Sequence, residues 1–178
     1  MIKLFPNAKR AATMADLQAC LPSLERYAIA LLRDHQDARD LVHDCIVQAL
    51  SQLHRHNGGE DVRPWLFSIM HNLFISDTRK QRVRNRYKID NLAMPEPSVS
   101  ASQEDRLHRR DLKNALSQLP EDQRLVLLLV SIGDLSYAAT AKILHIPAGT
   151  VMSRLSRGRE ILRKALGSES RPRVWRVK

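Results

Sequence analysis

Apolar residues recur at three- and four-residue intervals along almost the whole chain, and no stretch alternates apolar and polar as a half-buried strand would. The run from Asp37 to about Leu53 shows it best, with Leu41, Val42, Cys45, Ile46, Ala49, Leu50 and Leu53 in one stripe. Ahead of it, PSLERYAIALLRD opens on Pro22, a residue suited to a first helical turn, and sets Leu24, Ala28, Leu31 and Leu32 along one face. HNGG at 56–59 breaks the pattern. A third helix is expected from DVRPWLFSIMHNLF, with Pro64 near its start and Trp65, Leu66, Ile69, Met70 and Leu73 available for burial. It continues into RKQRVRNRYK (79–88), which holds six basic residues and no acid. Stripes of this kind must be buried helix against helix, so the fold class is all-α. An aromatic content of only 4% also suits small helical domains better than a sandwich or barrel.

The composition changes at NLAMPEPSVSAS (91–102), where two prolines and three serines interrupt all periodicity. Such a stretch reads as a flexible linker. The expected organisation is an N-terminal helical domain at 1–87, a linker at 88–103 and a C-terminal domain at 104–178 that ends in a basic tail. The second domain divides into EDRLHRRDLKNALSQL, PEDQRLVLLLVSIG, LSYAATAKIL and LHIPAGTVMSRLSRGREIL, punctuated by Pro120, Gly133 and HIP.

Charge narrows the partners. The net charge is +10. Residues 1–87 carry 13 basic and 9 acidic side chains, and residues 104–178 carry 15 and 8, so the surplus is +4 in front and +7 behind. A polyanion such as nucleic acid is the natural counterpart of that surplus. No apolar run approaches the ~20 residues that span a bilayer, and MIKLFPNAKRAATMADL lacks the continuous apolar segment of a signal peptide. Two cysteines, Cys20 and Cys45, make no disulfide framework. The expected location is the cytoplasm, without membrane insertion.

Two short helices joined by a tight turn, the second basic, are the sequence form of a helix-turn-helix. Ser136 can cap the first. Small Ala141 lets the two approach, and His145 falls where the chain must leave the first helix, a place that favours positive φ. Ile143, Leu144, Val151 and Leu155 face inward. Thr150, Ser153, Arg154 and Arg157 are then left on or near the outer face, where short hydroxyls beside arginines suit phosphates and base edges. The plainer reading of Arg154, Arg157, Arg159 and Arg163 is a solvated face with Glu160 as partner. The agreement of cap, turn and buried positions favours the DNA reader.

In the front domain Asp37, Asp40, Asp44 and Gln48 line the face opposite the apolar stripe. The helix dipole accounts for acids in a first turn, but Asp44 lies beyond it, so the stripe suggests a basic protein partner. With that, DARDLVHDCIVQAL, VRPWLFSIMHNLFISDTRKQR and LPEDQRLVLLLVSIGDLSYAATAKILHIPAGTVMSRLSRGRE stand in an order that resembles a bacterial RNA polymerase sigma factor of the two-domain, extracytoplasmic-function type. The resemblance covers roughly residues 17–166. It implies a dissociable subunit that binds core RNA polymerase and promoter DNA and is commonly held by an anti-sigma factor. It assigns Asp40, His43 and Asp44 to core polymerase, with His43 in place of the usual Gln. It sets Asn72 near an unpaired base of the −10 element and Arg79, Lys80 and Arg82 near its phosphates. At the −35 element it adds Met152 and Ser156 to Thr150, Ser153, Arg154 and Arg157. Met152 replaces a frequent basic residue, and Ser156 a frequent aromatic or His. Ala138, Ala139 and Thr140 replace a commonly acidic and apolar stretch.

Other chemistry finds little footing. Trp65, Phe67 and Phe74 can stack on unpaired bases, yet the place of Trp65 beside Leu66 and Ile69 favours core packing. His54 and His56, even with His71 or Cys45, lack compact four-ligand spacing, so no metal is expected. No nucleophile turn, P-loop or glycine-rich cradle is present, so neither catalysis, a cofactor nor a small-molecule substrate is expected. The rival readings are a helix-turn-helix regulator acting without polymerase, which would bind duplex DNA tightly alone, and a sigma-like adaptor that binds only an inhibitor protein.

Overall fold

The computed structural model describes residues 7–53, 61–85 and 103–166, and among them every regular element is helical. In chain order these are α1 (Asn7–Leu32), α2 (His35–Gln52), α3 (Val62–Asn85), α4 (Gln103–Ser117), α5 (Glu121–Ser131), α6 (Tyr137–Leu144) and α7 (Ala148–Ala165). The expected linker, His54, His56 and the basic tail lie outside the described residues, apart from helical Gln103.

The first three helices form one bundle, with α2 packed on both α1 and α3. Helix α1 begins well before Pro22, which lies inside it instead of in its first turn. An interior proline removes one backbone donor. Here its ring is exposed, and the adjacent Ser23 hydroxyl donates to the Cys20 carbonyl at 2.8 Å. Burial of Leu17, Cys20, Leu24, Tyr27, Ala28 and Leu31 on the two sides of Pro22 holds the helix together. Arg33, at φ 62°, turns the chain sharply into α2, whose first amides are capped by Asp34 through Gln36 N at 2.7 Å and Asp37 N at 2.9 Å.

In the back half α5 packs on α6 and α7, and α4 lies against α7. Ser136 caps α6 by accepting from Ala139 N at 3.1 Å. His145 takes the left-handed conformation expected of it (φ 53°, ψ 43°), and Ile146 N returns to the Ala141 carbonyl at 3.0 Å, closing the helix as a Schellman-type cap. Pro147 then opens α7. Val151 and Leu155 are buried beneath it, so α6, the turn and α7 make the helix-turn-helix.

The two halves also meet. Helix α3 packs on α6 and α1 on α5, and the buried apolar residues from Leu17 to Leu155 form one continuous cluster. Phe67 contributes a fully buried ring that meets Tyr27 edge-on, with centroids 5.2 Å apart at 76°. On its other side it borders Gly133, where a Cβ would come within 3.2 Å of Phe67 Cε1. Arg63 Nη1 and Asp134 Oδ2 pair across the same seam at 3.5 Å.

Candidate nucleic-acid and protein interfaces

Helix α2 presents Asp40, His43 and Asp44 to solvent while Leu41, Val42 and Cys45 are buried behind them. The alternation follows from 3.6 residues per turn. Gln36 Nε2 donates to Asp40 Oδ1 at 3.1 Å. Partial burial, then the neighbouring charges of Asp34 and Asp40, raise the Asp37 pKa above its ordinary value. Carboxylates crowded in this way favour an approaching cation. The face then continues into Val47 and Leu50, 53% and 44% exposed. The apolar stripe read from sequence includes Leu50 among buried residues. In the fold Leu50 stands half out because Ala49 takes the inward position, and Val47, polar-faced by spacing, was signalled only by being apolar among acids.

Along α3, Asn72 is exposed and shares a cleft of about 420 Å³ with Pro64, Trp65 and Ser68, walled by Ala139, Lys142 and Ile143 of α6 and by His145 at its end. Trp65 is half-buried and packs on the core while its side lines this cleft. Phe67 and Phe74 are buried, which removes both as stacking platforms. His71 is 7% exposed, and burial, then the charge of His145, lowers its pKa. Arg79, Lys80 and Arg82 follow on the same helix, where only their backbone is described. Cys45 Sγ donates to the Leu66 carbonyl at 3.6 Å, and no three His, Cys, Asp or Glu side chains are arranged to hold a metal ion among the described residues.

Helix α7 exposes Met152, Ser153, Ser156 and Arg157, and half-buries Thr150 and Arg154. Ser153 Oγ donates to the Thr150 carbonyl at 3.1 Å. Arg154 is not a solvated arginine: its Nε lies 3.0 Å from Asp122 Oδ2 at the start of α5. Glu160 pairs with Arg163, as the plainer reading of this helix foresees, and with Lys164, which that reading does not name. The Asp122 contact spans 32 positions, and no local spacing announces it.

Residues 109–162 match the model of sigma-70 region 4, and residues 17–71 match that of the sigma2 domain of PhyR. The sigma factor EcfG of Rhodopseudomonas palustris is 35% identical over 147 residues, which cover 83% of this chain and 81% of EcfG. The chain belongs to the extracytoplasmic-function RNA polymerase sigma factors. SigW of Bacillus subtilis, another member, is 31% identical over 148 residues, 76% of this chain and 79% of SigW. Among solved structures, the sigma factor RpoE of Bartonella quintana, determined with the anti-sigma factor NepR, superposes with a TM-score of 0.75 at 31% identity. That match covers 89% of this chain and 99% of RpoE. CnrH, at 22% identity and a TM-score of 0.57, shares the fold. As a member of this family the chain is a transcription initiation factor that binds core RNA polymerase and promoter DNA.

Proposed function

We propose that this sigma factor divides its work among the three faces just described. The Asp40, His43 and Asp44 face of α2 docks on a basic surface of core polymerase, with Val47 and Leu50 adding apolar contact. Asn72, with Arg79, Lys80 and Arg82, serves the −10 element. Helix α7 contacts the −35 element through Thr150, Met152, Ser153, Arg154, Ser156 and Arg157. The chain itself catalyses nothing, works in the cytoplasm, and is held inactive by an anti-sigma factor, as RpoE is bound by NepR in its crystal structure. Parting of residues 1–87 from residues 104–178 along the seam would let one inhibitor cover both. No helix among the described residues is long and apolar enough to cross a membrane.

The observation that carries the docking assignment is the exposure of Asp40, His43 and Asp44 together on a helix whose opposite face is fully engaged. Charge reversal there leaves the core untouched. Tagged wild-type protein is expected to retain purified core polymerase in solution, and to retain its inhibitor protein when purified from unstressed cells. Asp40→Arg with Asp44→Arg is expected to lose polymerase while keeping its helical circular dichroism. Each charge-assisted contact contributes about 1–3 kcal/mol. Undiminished polymerase in the double variant would overturn the assignment.

A further inference from the structure

Arg154 and Arg157 lie one turn apart on α7 and differ sharply in how they are held. At about 100° per residue, Val151, Leu155 and Gly158 mark the buried line of this helix. Ser153 then stands opposite that line with Ser156 and Arg157 on either side of it, whereas Arg154 projects only about 70° from the buried line. It therefore occupies a flank of the helix, not its crown. The chain fixes it there. Asp122 Oδ2 takes Arg154 Nε at 3.0 Å, and Asp122 Oδ1 accepts from Gln123 N at 2.9 Å, so both carboxylate oxygens are engaged.

Gly158 sets the distance over which this happens. One turn beyond Arg154 it is buried against the start of α5, and a Cβ there would come 3.3 Å from Leu119 Cδ2 and 3.6 Å from Gln123 Cβ. The close approach of α7 to α5 brings residue 154 to the carboxylate of residue 122. With Nε committed, the four N–H groups on the Nη nitrogens remain as a planar fork of set orientation.

We infer that Asp122 is a positioning residue that holds Arg154 as a fixed phosphate clamp at the edge of the −35 site, leaving base reading to the crown residues. The inference rests on the −35 role proposed for α7. A pinned guanidinium on a helix flank cannot follow base edges, but it matches a phosphate, whose position is nearly independent of sequence. The clamp sets the register of α7 on the DNA backbone. Simple electrostatics predicts the opposite effect of Asp122: a carboxylate near DNA repels phosphate and offsets the charge benefit of Arg154, so that its removal would strengthen binding.

The two accounts separate in holoenzyme promoter binding and run-off transcription, with matched templates that carry an intact or a scrambled −35 element. Asp122→Asn is expected to weaken binding to the intact template about fivefold, to lower the salt slope by about one, and to leave the ranking of single-base −35 variants unchanged. Asp122→Glu, which restores the carboxylate, is expected to recover part of the loss. Asp122→Asn added to Arg154→Ala should change nothing further, because the clamp is already gone. Stronger or equal binding by Asp122→Asn, or effects of the two substitutions that simply add, would overturn the inference. Arg157→Ala is the control for the underlying reading: if it reduces −35-dependent transcription while Asp122→Asn does not, the clamp alone fails. If Arg157→Ala also has no effect, the −35 assignment of α7 falls and the clamp with it.

Discussion

Replacing Phe67 by alanine tests whether the front and back helices share one core in the working protein. The ring is fully buried, meets Tyr27 edge-on at 5.2 Å, and borders Gly133 across the seam. Truncation of a buried phenylalanine costs about 3–5 kcal/mol, and loss of the aromatic pair forms part of that sum. Against a total stability of about 5–15 kcal/mol this is a large fraction. At about 2–4 °C per kcal/mol for a chain of this size, the melting temperature should fall by roughly 6–20 °C. Thermal melts by circular dichroism give the shift, and hydrogen exchange resolved by mass spectrometry shows where protection is lost. A shared core requires the amides of α5 to lose protection together with those of α1 and α3. A shift worth less than about 1 kcal/mol, or a two-step melt in which α5–α7 keep their protection, would refute the reasoning.

Two further outcomes are expected. Burial and the neighbouring His145 charge depress the His71 pKa below its ordinary 6.5, so the unfolded chain binds the proton more readily than the folded one; the stability His71 contributes is complete above pH 6.5 and is lost as pH falls through its lowered folded pKa. Urea melts from pH 7.5 to 5 should show a decline that is shallower in His71→Phe, and identical slopes would count against the assignment. Gly133→Ala should cost about 2 kcal/mol or more, because its Cβ would lie 2.5 Å from the Leu129 carbonyl oxygen, a backbone atom that cannot step aside; a variant that melts with the wild type would show that this turn relaxes freely.

Helical periodicity made the fold class and most of the inward positions legible, since Leu41, Val42, Cys45, Ala49, Val151 and Leu155 all lie where spacing alone puts them. Ser136 and His145 were readable for a related reason: caps and left-handed exits depend on a residue's own chemistry. Pro22 misled because its local preference for a first turn was outweighed by burial on both sides of it. Leu50 misled because a stripe wider than the partner helix leaves its edge exposed. The seam between the halves, and the hold of Asp122 on Arg154, join residues far apart in the chain. Neither periodicity nor composition carries information about such meetings. Among the expected site residues, Asp40, His43, Asp44, Asn72, Met152, Ser153, Ser156 and Arg157 are solvent-exposed, Thr150 and Arg154 are half-buried, and the side chains of Arg79, Lys80 and Arg82 lie outside the described residues.

Ser153 crowns α7, and its hydroxyl hydrogen is given to the Thr150 carbonyl. A hydroxyl engaged in this way meets an incoming base edge with lone pairs only. In the proposed −35 contact it can accept from the amino group of adenine N6 or cytosine N4, and it opposes the bare acceptors of guanine and of thymine O4. Met152 beside it offers an exposed thioether and methyl, surface that suits the thymine methyl and ignores hydrogen-bond polarity. In that proposed contact guanine falls to the fork of Arg157, Ser153 and Met152 suit amino and methyl groups, and a purine that lacks its N6 amino group opposite Ser153 presents the hydroxyl with nothing to accept.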